Sequence, residues 1–444
     1  LSALLLIAVT LVGLHVAAYT TLSPIDELQH IDYMIKASRG ELVARGDKVG
    51  QEAMRNQACR GIDAPNITPP PCDSESFDPA TQFQETGTNT AAIHPPVYYF
   101  ITGVAARAAD LILPSDSIVT TGRLFGAIWL GAGLGVLWLL LAEFEVPILA
   151  RLIVGSLALT LPSAVHGSVT ITPDATSLLA GGAVLWLVLR YERGAAPWWS
   201  VLVGALIAVT LKATNVMGVG AALLYAVLRS ISAKRRERLA AEPPSEDAHP
   251  AATVPSARRS LMAAGLLLVG SLLAAVAWLS VKALITELPA SSDPQIVNYH
   301  IDSLDADLVI RSIGDTMSPG LGYVPAVIGG SASTVMLAVA TWILVGAAIG
   351  VALEDRTGSR RSALAVAAIA MLVLGGPLFV IVNFVLSGIA APGIPGRYAL
   401  SVVPALAVVL GTALRKRSTM AAVGTLSAIA VLRLLVELVP AVIA

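Results

Sequence analysis

The chain has 444 residues, of which 55% are hydrophobic and only 13% charged, and its mean hydropathy is +0.75. Apolar stretches recur too often for one water-soluble core to hide, so composition predicts an all-α polytopic membrane protein and excludes a soluble globular domain. The net charge of −1 gives no footing for a nucleic-acid partner, and the position of each charge is more informative than the sum.

Leu1 to Leu22 contains no carboxylate, lysine or arginine and is long enough to cross a bilayer. With no basic flank before it, it reads as a retained anchor helix and not as a cleaved signal. Further apolar stretches lie near 119–142, 148–166, 173–189, 260–281, 332–353, 362–386, 398–414 and 418–440. The stretch 197–229 is apolar except for Lys212, and 94–113 reads either as a span or as a surface helix.

Charge and parity together decide both. Lys234, Arg235, Arg236 and Arg238, followed by a Pro/Glu/Ala-rich stretch, mark 230–259 as a disordered cytoplasmic linker. Arg190 and Arg193 form another basic turn, and keeping both inside requires two crossings between them, so 197–229 is expected to be a hairpin. Counting back then leaves no crossing for 94–113. Its Val97, Ile101, Val104, Ala108 and Leu111 share one face, opposite Gly103, Arg107 and Asp110, as an outer juxtamembrane helix requires. The expected architecture has about 11 transmembrane helices with the amino terminus inside. Its parts are an N-terminal membrane module (1–229) with a first outer loop (23–116), the linker, and C-terminal membrane helices (260–444) with an outer loop at 282–331.

Cys59 and Cys72, the two cysteines of the chain, both fall in the first outer loop, where an oxidising environment favours a disulfide. By chain entropy such a bond contributes about 3 kcal/mol. Their spacing does not suit zinc.

Several polar residues converge on the outer ends of the spans: Asp26, Glu27 and His30 after the first; His94 at the head of the juxtamembrane helix; His166 and Asp174 around the next outer turn; Lys212 at the hairpin tip; Arg397 and Tyr398 at a late span. Taken singly, each has a plain reading. Lys212 would be a snorkelling anchor, Asp174 a helix N-cap, and His166 and His300 solvated loop residues. The adjacent acids are less easily dismissed, because two carboxylates beside lipid raise one pKa, which suits a general base or a cation site. Arg397 and Lys212 supply the complementary charge, a planar fork and a point charge for a phosphate.

Three motifs carry a resemblance. Ser23-Pro24-Ile25-Asp26-Glu27-Leu28-Gln29-His30 resembles the P-x-D-E-x-x-H signature of a largely uncharacterised bacterial family in the GT-C superfamily of integral membrane glycosyltransferases. His94-Pro95-Pro96-Val97-Tyr98-Tyr99 is similar to that superfamily's H-P-P-L-x-Y segment, and Gly396-Arg397-Tyr398 with Pro404 to its G-R-Y motif; the order matches across nearly the whole chain. The resemblance implies a GT-C-like arrangement in a bacterial cytoplasmic membrane, taking sugar from a polyprenyl-phosphate donor on the extracytoplasmic face. By it, Asp26 and Glu27 are the catalytic acids, with Asp26 the base. Lys212 and Arg397 bind the donor phosphate, and His30, His94, Asp174 and Tyr398 support them. Two residues separate Glu27 from His30, where protein mannosyltransferases have one, which points to a glycan, lipid or cell-wall acceptor. No organic cofactor is implied; a divalent cation would need oxygens from Asp26, Glu27 or Asp174. Two readings compete: a transporter or flippase, which calls for repeats and charges at mid-bilayer depth, and a non-catalytic assembly subunit.

The parity argument is checked by labelling. A cysteine at position 193 is expected to react only with reagents admitted to the cytoplasm, and labelling from outside would overturn the topology.

Overall fold

The structure, a computed structural model, describes residues 1–62, 64, 66–112, 117–240, 256–286, 301–321, 331–355, 358–388 and 393–443. His300, Asp116, Arg356 and Ile389 lie outside them. In chain order the helices are α1 (Ser2–Ala18), α2 (Glu27–Ala37), α3 (Gln51–Arg60), α4 (Val97–Asp110), α5 (Ile118–Glu143), α6 (Ile148–Leu159), α7 (Pro162–Val169), α8 (Ser177–Glu192), α9 (Trp198–Leu211), α10 (Val216–Ala240), α11 (Ala257–Ile285), α12 (Ala306–Thr316), α13 (Ser331–Glu354), α14 (Arg360–Ser387), α15 (Val403–Ala413) and α16 (Arg417–Ile443). Among the described residues there is no strand, only two isolated bridges.

Among the described residues, six helical stretches are long and apolar enough to cross a bilayer: α5, α10, α11, α14, α15 with the 3-10 turn before it, and α16. The pair α6 and α7, bent by 67° at Thr160-Leu161, makes a seventh if taken as one broken span. The shorter apolar helices α1, α9 and the described part of α13 lie among them. Leu268, Val269, Leu272, Leu273 and Val276 of α11, and Leu432 and Val436 of α16, leave about half their surface uncovered. So large an apolar perimeter is unfavourable in water and suits lipid.

One core joins the two ends of the chain, running from Leu4 to Leu438 and including residues of both 1–229 and 260–444. The stretch between them therefore separates two sequence segments but not two cores. At its centre is α15, whose Val403 to Leu410 are all buried. A second core, built from α2, α3, α4 and residues 43–92, includes Trp129 of α5 and Leu211 of α9. The described residues of the expected first loop thus form a folded cap seated on the helix ends. Cys59 and Cys72 are joined in a disulfide within it.

Three expected boundaries move. The first helix stops at Ala18, where Tyr19 turns extended, four residues short of Leu22. The linker expected to be disordered from 230 begins as helix, because α10 carries the basic cluster on to Ala240; long side chains that interact along a helix favour its continuation. The outer loop placed from 282 starts later, since Lys282 belongs to α11, and it contains α12.

Close approach positions the late span. A β-carbon at Gly181 of α8 would lie 1.8 Å from the Ser401 carbonyl oxygen, and one at Gly218 of α10 2.6 Å from the same atom. Gly218 N donates to Ser401 Oγ at 2.9 Å. At the other end of this turn, Gly396 sits where a β-carbon would be 2.4 Å from Ser318 O and 2.6 Å from Leu321 O. Gly181→Val should therefore push the 397–402 turn outward. The expected outcome is a thermal unfolding midpoint lower by several degrees in detergent, consistent with an overpacking cost of about 1–3 kcal/mol.

Candidate functional site

Asp26 and Glu27 are neighbours in sequence but point to different partners. Asp26 is the N-cap of α2 with φ 53° and ψ 14°, a left-handed conformation that Asp tolerates better than most residues. Its side chain makes no capping bond and no hydrogen bond or ion pair with the described residues. The twist leaves Glu27 pointing inward, where it is 0% exposed.

Glu27 is fully engaged. Arg123 of α5 donates Nε to Oε1 at 2.8 Å and Nη2 to Oε2 at 2.7 Å. Ile171 N adds 3.1 Å to Oε1, and Ser23 N adds 2.7 Å to Oε2. The same guanidinium donates to the carbonyls of Tyr19 and Thr21 at 2.9 and 2.8 Å, tying the α1–α2 connection to α5. Burial alone would push the Glu27 carboxyl up; Arg123 and the two backbone donors bring it below the ordinary range. It is a structural carboxylate.

Asp174 follows Thr172-Pro173, and the cap is Thr172, whose hydroxyl accepts from Asp174 N. This leaves the Asp174 carboxylate free to bind Lys212 through Oδ1 and Arg397 Nε through Oδ2 at 3.2 Å. Thr172 Oγ1 donates to Oδ2 at 3.2 Å. Burial works to raise its pKa, but the two cations hold the group well below the usual aspartate range. Lys212 is no snorkelling anchor. It lies between α9 and the turn before α10 in extended backbone, is 1% exposed, and places Nζ 4.8 Å from the Tyr398 ring centroid. Arg397 stands over the same ring at 5.6 Å.

Two histidines complete the wall. His30 Nδ1 is 2.7 Å from Tyr99 Oη, and its ring lies 5.6 Å from that of His94. Burial, then each other's charge for His30 and that of Lys212 for His94, lowers both, His94 to about 3. Both are therefore neutral at physiological pH, and His30 is hydrogen-bonded to Tyr99. Asp26, His30, His94, Asp174, Lys212, Arg397 and Tyr398 line one cavity of about 70 Å³, room for roughly two waters at about 30 Å³ each. Burial raises the Asp26 carboxyl and Asp174 adds to it, against Arg397.

The structure thus brings together the polar residues expected at the outer site except Glu27, which faces Arg123, and His166, which lies in α7; the disulfide is in the cap. His166, expected in a solvated loop, is buried in α7 with Nε2 3.2 Å from Ser23 Oγ. Arg123 was missed; its signal was a lone charge inside an apolar helix. Among the described residues no group of three or more His, Cys, Asp or Glu side chains is arranged to hold a metal ion. Comparison with protein-family models, curated proteins and solved structures finds no match.

Because Glu27 and Asp174 titrate below their unfolded values, near 4.3 and 3.9, their stabilisation is complete above that range and is lost as pH falls through the lower folded values. Acid unfolding of the wild type should therefore begin below about pH 4. Arg123→Ala leaves a buried carboxylate unpaired and is expected to cost about 3–5 kcal/mol; an unchanged unfolding midpoint would remove the pair from its structural role.

Proposed function

We propose that the protein is a membrane glycosyltransferase that moves a sugar from a polyprenyl-phosphate donor to an extracytoplasmic glycan, lipid or cell-wall acceptor. The observation that carries the reading is Asp26: a carboxylate with no hydrogen bond or ion pair among the described residues, turned by a left-handed backbone into a cavity shared with Arg397. In this scheme the chain crosses the membrane eleven times, by α1, α5, the bent pair α6 and α7, α8, α9, α10, α11, α13, α14, α15 and α16. The cavity opens on the extracytoplasmic face, under the disulfide-bonded cap and beside α4.

The chemistry follows from charge. Asp26 takes the proton of the acceptor hydroxyl as its oxygen bonds to the anomeric carbon, while the bond from that carbon to the phosphate oxygen breaks and the lipid phosphate leaves with the electron pair. A raised pKa keeps Asp26 basic enough for this task. Arg397 spends only Nε on Asp174, so the rest of its fork is available to the departing phosphate. Lys212 is too enclosed for that role at first contact. It acts through Asp174, setting the position of Arg397 and keeping the trio at a net charge of +1. The cavity is smaller than a sugar, so donor binding must widen it.

The cluster of charge at helix ends favours group transfer over transport through mid-bilayer. With purified protein and labelled polyprenyl-phosphate sugars, Asp26→Asn should lower turnover by about 10²-fold or more with donor binding retained. Arg397→Lys should weaken donor binding because the fork is lost. Glu27→Gln should lower stability more than turnover. The wild-type rate should fall with acid at a pH above the ordinary aspartate value of about 3.9. Near-normal transfer by Asp26→Asn would reject the assignment.

A further inference from the structure

A second charged cavity lies at the opposite ends of the helices. From Asp174, α8 climbs to Arg190, and from Lys212, α10 climbs to Arg229, each a rise of roughly 20–25 Å at about 1.5 Å per residue. There the end of α5, the turn into α6, α10, the start of α14 and the end of α15 enclose about 750 Å³. Among the described residues five arginines line it: Arg229, Arg236, Arg360, Arg361 and Arg415. The acids on its wall are Glu143 and Glu145; Glu143 is already paired with Arg190 and Arg193. Asp355 beneath it is held by Arg361 at 3.0 Å. Glu192, buried at the end of α8, also interacts with Arg229 and Arg360. With these four acids set against the five lining arginines and Arg190 and Arg193, positive charge is in excess among the described residues.

Arg229 decides what this excess is for. It is 5% exposed, donates Nη1 to Gly358 O at a long 3.4 Å, and its Nε has no partner among the described residues. A buried guanidinium N–H without an acceptor is costly and calls for an anion. Arg360 is steadied 4.7 Å from the Phe144 ring and donates to the Glu143 carbonyl at 3.4 Å. Ser359, the N-cap of the 28-residue α14, also lines the cavity, so the positive end of that helix faces it. We infer that this cavity is a phosphate-binding site, separate from the Asp26 cavity, that takes the phosphate of an anionic phospholipid headgroup or a soluble phosphate anion. Planar, multidentate donors in a basic recess between helices at a membrane edge match that chemistry. The inference does not depend on glycosyl transfer.

The test uses full-length protein in neutral detergent, with native mass spectrometry to count bound lipid. Phosphatidylglycerol is expected to outbind zwitterionic phosphatidylcholine. Arg229→Gln with Arg236→Gln should weaken phosphatidylglycerol binding by roughly fivefold per arginine, whereas Arg433→Gln, toward the far end of α16 and paired with Glu437, should not. Should the Arg229 variant fold poorly, Arg236→Gln and Arg415→Gln, at exposed positions, carry the same comparison. Inorganic phosphate that displaces the lipid identifies a soluble anion as the ligand, and lipid retained against it identifies the headgroup; either outcome supports the site. Equal binding of both lipids, or wild-type affinity in the arginine variants, overturns it.

Discussion

Everything around the Asp26 cavity depends on one carboxylate shared by two cations. Asp174 holds Lys212 and Arg397 at once, and so joins the turn before α8, the corner between α9 and α10, and the late turn before α15. In a site this enclosed each charge alone would be strongly unfavourable, and only the set is tolerable. The trio consequently fixes a geometry more than it adds stability. Replacing it with apolar side chains of equal volume would relieve the desolvation and abolish the reason for three remote segments to meet.

The neighbouring pair of acids shows how backbone conformation divides labour. Adjacent residues on a regular helix would diverge by about 100°, and the left-handed Asp26 widens the division into two environments: one carboxylate sealed among four donors, the other facing a cavity. Repulsion between them, the simplest expectation for neighbours in sequence, is replaced by separation. Glu27 then serves as the anchor that keeps the start of α2 in place while Asp26 makes no hydrogen bond or ion pair with the described residues.

Apolar length and charge position made most of the helical segments legible, including the break at Lys212, because span-forming stretches are long and their interruptions conspicuous. The polar residues of the Asp26 cavity were legible for the same reason: each interrupts or flanks such a stretch. What stayed hidden depends on close contact. Nothing in the sequence around Arg123 says that its partner is Glu27, nor that His166 is enclosed by Ser23, nor that Gly181 and Gly218 meet the Ser401 carbonyl. The folded cap was hidden too, because its small core of Tyr33, Phe77, Phe83 and Tyr99 is scattered through a polar stretch that has no single period. The helical continuation to Ala240 was concealed by the charge that marks the same residues as exposed.

The Glu27–Arg123 pair spans 96 residues, and this distance has a meaning during synthesis. In the proposed topology, a chain threaded into the membrane from its amino terminus delivers the carboxylate first, to wait in water beside the emerging cap. When α5 enters, its arginine finds an acceptor already stationed at the surface, so the least lipid-compatible residue of that helix need not remain solvated or drag the helix back. Asp174 plays the same part for Lys212 soon afterwards, and for Arg397 only when the last helices arrive. In that topology the Asp26 cavity is the final part of the molecule to assemble, and a chain released early would carry an incomplete one.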